Sequence, residues 1–136
     1  MAQTNEPLLS VKGLKQYFPV SKKFTVRAVD NISFDIYPGE TYGLVGESGS
    51  GKSTTGRSII RLYDPTEGTI LFNGEDISKK LTAKQEKMLR SDMQMVFQDP
   101  MASLNPHKKI LDTIAMGLDA HHPHMDPKER VERVSK

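Results

Sequence analysis

The sequence predicts an α/β fold. Residues 27–37 alternate between apolar and polar side chains, a pattern that is typical of a strand with one buried face. Residues 41–45 form a short, nearly continuous apolar run, as expected of a strand that is covered on both faces. A glycine-rich loop follows at residues 46–51, and a helix is predicted to begin at Lys52. The succession of strand, glycine-rich loop and helix indicates a phosphate-binding α/β protein.

Strands are predicted on both sides of this loop. A polar, lysine-rich turn at residues 21–23 separates the first two, and Asn73-Gly74 is a strong turn signal after a later one. The predicted strands cover residues 8–14, 27–37, 41–45, 69–72 and 93–97.

Helices are predicted from their start signals. Thr82 and Gln85 have the spacing of a capping box, and Asp126-Pro127 combines a capping carboxylate with proline at the first helical position. The predicted helices cover residues 52–62, 82–90 and 108–117, with a last helix from 127, and residues 99–106 are predicted to be a loop.

Composition narrows the function classes. The chain has 19 Lys and Arg against 17 Asp and Glu, scattered along its 136 residues, so nothing predicts a nucleic-acid partner. It has no Cys, which removes disulfides and thiolate zinc sites and agrees with a reducing cytoplasm. No window has eighteen apolar residues and the first ten residues do not form a secretory signal, so we expect an intracellular chain.

The glycine-rich loop is the predicted phosphate-binding segment. Glycines allow backbone N–H groups to turn inward and wrap phosphates, and the following helix adds its free N–H groups and dipole. Lys52 is expected to bridge the β- and γ-phosphates, Ser53 to ligate Mg²⁺ through its hydroxyl, and Thr54 to contact the α-phosphate side. The alternative is a flexible loop that matches the pattern by accident. The pattern consists of two glycines five residues apart, followed by Lys and then Ser or Thr. The residues that form it are Gly46, Glu47, Ser48, Gly49, Ser50, Gly51, Lys52 and Ser53.

The flanks of the loop identify a family. Residues 28–34, 38–54 and 66–74 resemble the nucleotide-binding subunits of ABC transporters. Residues 95–100 look like the Q-loop of that family, and residues 103–106 look like the branch that serves oligopeptide and dipeptide importers, whose relatives include nickel importers.

The resemblance implies the N-terminal part of the P-loop NTPase (ABC ATPase) fold. Its antiparallel β subdomain and incomplete parallel core sheet would occupy residues 1–106, and the helical subdomain would begin at 107–136. Three motifs of the family are absent from the sequence: the glycine-rich signature motif, the apolar strand that ends in Asp followed by Glu, and the switch histidine. We therefore expect a fragment with no steady ATP turnover.

The resemblance also implies roles for individual residues. Gln98 would contact Mg²⁺, help to place the attacking water and relay the nucleotide state to a permease. Phe18 would stack on adenine, with Tyr17 as the alternative. Residues 101–107 would contact the membrane subunit, and the cofactors would be ATP and Mg²⁺.

The implied partners are two transmembrane permease subunits, a second ABC ATPase subunit and, through the permease, an extracellular or periplasmic peptide-binding protein. The subunit would be cytoplasmic and peripheral on the inner face of the cell membrane.

The alternatives left open are a nucleotide-binding fragment without a transport role, an importer of nickel or another small solute, and another P-loop enzyme such as a kinase. We interpret the histidines at 121, 122 and 124 as a solvated loop rather than a metal site.

Overall fold

The computed structural model describes residues 6–98 and 104–135. The chain forms two compact units, Met1–Met95 and Val96–Lys136. The predicted division after residue 106 concerns the subdomains of the family and stays a prediction. In the two described stretches, no helix combines the length and the apolar character that crossing a membrane requires.

A four-stranded antiparallel sheet forms the first unit, with the strand order β2-β1-β3-β4. The strands are β1 (Leu9–Ser21), β2 (Phe24–Ile36), β3 (Glu67–Phe72) and β4 (Glu75–Asp76). The strands predicted at 8–14, 27–37 and 69–72 are therefore confirmed, while the two-residue β4 was not predicted. Asn73 and Gly74 both have positive φ, 50° and 77°, as a tight hairpin turn requires.

Helix α1 (Lys52–Ile59) follows the glycine-rich loop and is shorter than predicted. Arg61 adopts φ 59°, and the N–H groups of Arg61 and Leu62 donate to the carbonyls of Ser58 and Arg57. These bonds form a Schellman motif, which ends the helix before residue 62. The Arg61 side chain is 3% exposed and donates to the carbonyls of Ile77 and Lys79.

The core of the first unit lies between the sheet and its helices. Helix α2 (Ala83–Asp92) begins with the predicted capping box, because Thr82 accepts from the Gln85 N–H and the Gln85 side chain accepts from the Thr82 N–H. The buried core residues are Leu9, Val11, Leu14, Val29, Ile70, Phe72, Ile77 and Leu89.

Two predicted strands are wrong: residues 41–45 and 93–97 are irregular in the structure. Val45 is 91% exposed and Val96 is 97% exposed, so neither segment is covered on both faces. A parallel strand exists only where neighbouring strands complete its hydrogen-bond ladder. The described residues form only antiparallel pairs, none of which involves either segment.

The described part of the second unit contains two helices, α3 (Ile110–His121) and α4 (Pro127–Ser135), at the predicted places but with a later end for α3. Asp126 accepts from the Lys128 N–H at 2.8 Å, which confirms it as the cap of α4. Arg130 of α4 donates to Asp119 at 2.7 Å and to Asp112 at 3.4 Å, and these bonds join the two helices. Residues 99–103 of the predicted loop lie outside the described residues.

Candidate phosphate-binding site

The loop enters α1 through a glycine in a left-handed conformation. Gly51, with φ 92°, is the N-cap and provides no side-chain hydrogen bond to the helix. The first bond within the helix runs from the Thr55 N–H to the Gly51 carbonyl at 2.8 Å. Helix geometry therefore leaves the N–H groups of Lys52, Ser53 and Thr54 without a carbonyl partner inside the helix. An anion is the natural ligand of such a terminus.

The loop folds around its own lysine. The Lys52 ammonium donates to the Gly46 carbonyl at 2.8 Å, the Glu47 carbonyl at 2.5 Å and the Ser50 hydroxyl at 3.3 Å. The loop is further closed by a turn in which the Ser50 N–H donates to the Glu47 carbonyl at 3.2 Å, with Ser48 and Gly49 at its tip. All three donors of the ammonium are thus directed into the concave side of the loop.

A cleft of about 440 Å³ opens in front of this loop. Its volume lies within the range of ordinary small-molecule sites. One wall is the loop and the start of α1, and the other wall is the edge strand β2. The lining residues are Val26, Arg27, Ala28, Gly49, Ser50, Gly51, Lys52, Ser53 and Thr54.

Gly51 has a second structural reason to be glycine. A Cβ atom at this position would collide with the carbonyl oxygen of Ala28 and would lie 3.5 Å from the Val29 side chain. Ala28 sits where the β1–β2 register shifts, since Gln16 pairs with Val29 whereas Tyr17 pairs with Arg27. A bulge of this kind bends a strand locally.

Three hydroxyl side chains follow Lys52, and they differ in whether they hydrogen-bond within the helix or line the cleft. Thr55 is buried and donates to the Gly51 carbonyl at 2.9 Å. Ser53 is exposed and, with Thr54, lines the cleft. The described residues contain no cluster of three or more His, Asp or Glu that could hold a metal alone. A hydroxyl is an oxygen ligand of the kind that Mg²⁺ binds together with phosphate oxygens and water, and Ser53 offers one at the cleft.

The structure places the two adenine-stacking candidates away from the lining of the cleft. The Phe18 ring is half-buried and meets the Tyr63 ring edge-on, with 5.3 Å between centroids. The Tyr17 hydroxyl donates to Asp30 at 2.5 Å, and this hydrogen bond raises the pKa of Tyr17. Which of the two rings stacks on adenine stays a prediction.

Gln98 is exposed and belongs to the second unit, and its predicted contact with Mg²⁺ stays a prediction. The segment predicted to contact the membrane subunit lies partly outside the described residues. The histidines at 121, 122 and 124 are exposed at the end of α3 and in the turn after it. The sequence did not single out the lining residues of β2, of which Arg27 is the charged one, because no motif marks them and only the fold brings β2 to the loop.

Residues 29–136 match the family described as ABC transporter. The chain belongs to the ABC transporter family. It is 57% identical over 129 residues to the oligopeptide transport ATP-binding protein OppF of Bacillus subtilis (strain 168), covering 95% of this chain and 42% of that protein. It is 49% identical over 116 residues to the dipeptide transport ATP-binding protein DppF of Lactococcus lactis subsp. cremoris (strain MG1363), covering 84% of this chain and 37% of that protein.

Solved ABC structures share the fold. The dimeric ATP-binding cassette MJ0796, bound to ADP and Pi, superposes with a TM-score of 0.80 at 26% identity and covers 93% of this chain and 54% of that chain. This similarity confirms the predicted ABC ATPase fold. The chain spans less than half the length of the curated relatives named above.

Proposed function

We propose that this chain binds ATP with Mg²⁺ through the loop from Gly46 to Ser53. One observation supports the proposal most strongly: the Lys52 ammonium and the free N–H groups at the start of α1 border the same 440 Å³ cleft. A polyanion is the ligand that satisfies both sets of donors. On binding, the Lys52 ammonium would donate to phosphate oxygens in place of the two loop carbonyls and the Ser50 hydroxyl that now accept from it.

Individual residues of the loop would contact different parts of the nucleotide. Lys52 would contact the β- and γ-phosphates, Ser53 would ligate the metal, and Thr54 would contact the α-phosphate side. Bound Mg²⁺ would neutralise part of the phosphate charge. Gln98 would join the metal and the attacking water in the whole protein, and Phe18 or Tyr17 would hold adenine.

For the whole protein we propose ATP hydrolysis that drives the import of oligopeptides or dipeptides. The transport functions named for the OppF and DppF relatives support this proposal. Its partners would be two permease subunits, a second ABC ATPase subunit and a peptide-binding protein that delivers substrate to the permease. The subunit would work at the cytoplasmic face of the cell membrane.

Calorimetric titration of the 136-residue chain with ATP and Mg²⁺ tests nucleotide binding. Lys52→Ala removes a charged group that makes several hydrogen bonds, so we expect about 10- to 100-fold weaker binding. Lys22→Ala is the matched control, because Lys22 is an exposed cation in the β1–β2 turn. Adenosine, which lacks phosphates, should bind at least about tenfold more weakly than ATP. Equal affinities of the wild type and Lys52→Ala for ATP would refute the proposal.

The transport proposal has its own test in cells that depend on this protein for peptide uptake. Lys52→Ala in the full-length protein should abolish growth on a dipeptide or oligopeptide as the source of a required amino acid. Growth on the free amino acid should be unchanged. Unimpaired growth on peptides would contradict the proposed role in import.

A further inference from the structure

The charged side chains that line the cleft are positive. Among the residues that the structure describes, Arg27 and Lys52 are the only charged ones that line it, and no carboxylate does. The two cations belong to different walls, since Lys52 begins α1 and Arg27 lies on β2. A cleft with cations on both walls attracts a ligand whose negative charge extends across it.

The two cations differ in how they are engaged. Lys52 already donates to three groups of its own loop. Arg27 has a 3.8 Å ion pair with Asp30 and lies over the Tyr17 ring at 5.5 Å from its centroid, and its side chain is 69% exposed. Neither of these contacts uses the close bidentate geometry that an Arg forms with an oxyanion. The guanidinium is therefore available to a ligand in the cleft.

Neighbouring residues restrain the Arg27 guanidinium. The Tyr17 hydroxyl donates to one Asp30 oxygen at 2.5 Å, and Arg27 faces the other Asp30 oxygen. Because Tyr17 and Arg27 are cross-strand partners, the ring and the carboxylate restrict the guanidinium from two sides. Less side-chain freedom is then lost when a ligand binds.

We infer that Arg27 is a further nucleotide-binding residue, which contacts the phosphate chain from the β2 wall opposite Lys52. The inference rests on the proposed nucleotide binding. It assigns to β2 a charged contact that the motif of the loop does not include. In this contact with the phosphates, the Tyr17 and Asp30 side chains position Arg27.

Titrations of the whole 136-residue chain with ATP and with adenosine test the inference. Arg27→Gln removes the charge and keeps much of the length, and Lys22→Gln is the matched control with the same change of charge in the exposed turn. For an exposed contact we expect Arg27→Gln to weaken ATP binding about two- to fivefold. Arg27→Lys should stay within about twofold of the wild type, and adenosine binding should not change. In 1 M salt the difference between Arg27→Gln and the wild type should largely vanish.

The outcomes separate the two proposals. If Lys52→Ala weakens ATP binding while Arg27→Gln behaves like Lys22→Gln, the inference about Arg27 is wrong and nucleotide binding stands. If Arg27→Gln weakens adenosine as much as ATP, the contact is with the nucleoside, and the phosphate assignment is overturned. If the wild type does not bind ATP, both proposals fail. Thermal unfolding of each variant, unchanged from the wild type, shows that the comparison is between folded chains.

Discussion

Replacing Gly51 by Ala tests the close approach between the phosphate loop and β2. Gly51 has φ 92°, and an added Cβ would collide with the backbone carbonyl of Ala28. Gly49 is the matched control, because it has φ 80° in the same loop but nothing within 4 Å of the added Cβ. The two variants share the cost of a positive φ and differ in the steric collision.

The expected magnitudes follow from these two contributions. A left-handed conformation costs a non-glycine residue about 1–2 kcal/mol, and the loss of unfolded-state entropy on replacing glycine offsets about 0.4–1 kcal/mol of that. Gly49→Ala should therefore destabilise the chain by about 1 kcal/mol. The collision at Gly51 is with backbone, which cannot rotate away, so overpacking should add about 1–3 kcal/mol.

Urea unfolding followed by circular dichroism gives both free energies of unfolding, and titration with ATP and Mg²⁺ gives the functional cost. Gly51→Ala should be the less stable variant by at least about 1 kcal/mol, and it should bind ATP more weakly because the loop must move away from β2. Equal stabilities of the two variants, to within about 0.5 kcal/mol, would show that the loop does not lie against Ala28.

Three further predictions concern residues that stabilise each of the two units. Thr82→Ala removes the capping box of α2 and should lower the free energy of unfolding by about 1 kcal/mol in urea titrations. Arg61→Ala removes the donor to the buried Ile77 carbonyl and to the partly buried Lys79 carbonyl, and should lower the free energy of unfolding by about 3 kcal/mol in the same assay. The hydrogen bond from Arg130 lowers the pKa of Asp119 below its ordinary value of 3.8. Such a carboxylate stabilises the fold above its unfolded pKa and loses this effect as pH falls through its folded pKa, so the helical dichroism should fall below about pH 4 less steeply in Asp119→Asn than in the wild type.

Conservative variants provide the controls for these predictions. Thr82→Ser keeps the capping hydroxyl and should retain most of the stability, and a Thr82→Ala variant as stable as the wild type would contradict the capping role. Arg61→Lys keeps a donor but not the fork that reaches two carbonyls, so it should lie between Arg61→Ala and the wild type. Identical acid transitions of Asp119→Asn and the wild type would show that the bond to Arg130 does not stabilise α3 and α4.

Local signals predicted the elements that local interactions stabilise. The hairpin turn at Asn73-Gly74 and the caps at Thr82 and Asp126 are formed by residues within a few positions of each other, so the sequence specifies them directly. The apolar runs at 41–45 and 93–97 were wrongly predicted to be strands, because a parallel strand depends on distant partners that an apolar pattern does not reveal.

The site was predictable in chemistry and less so in geometry. The pattern of glycines, Lys52 and Ser53 predicted the loop at the start of α1, which the structure contains. Gly51 approaches Ala28, and Arg27 lines the other wall of the cleft, at a bulge in β2. No local signal marks this bulge, so the second wall of the cleft could not be predicted.

The most direct measurement is the change in backbone amide chemical shifts of the ¹⁵N-labelled chain on addition of ATP with Mg²⁺. If the loop binds phosphates through its N–H groups, the largest changes should fall on residues 49–54, with smaller ones at residues 26–28 of β2. The same experiment on Lys52→Ala should need a higher ATP concentration to reach the same shifts. Shift changes confined to other surfaces, such as the turn at residues 122–125, or no saturable changes at all, would contradict the assignment of this loop as the nucleotide site.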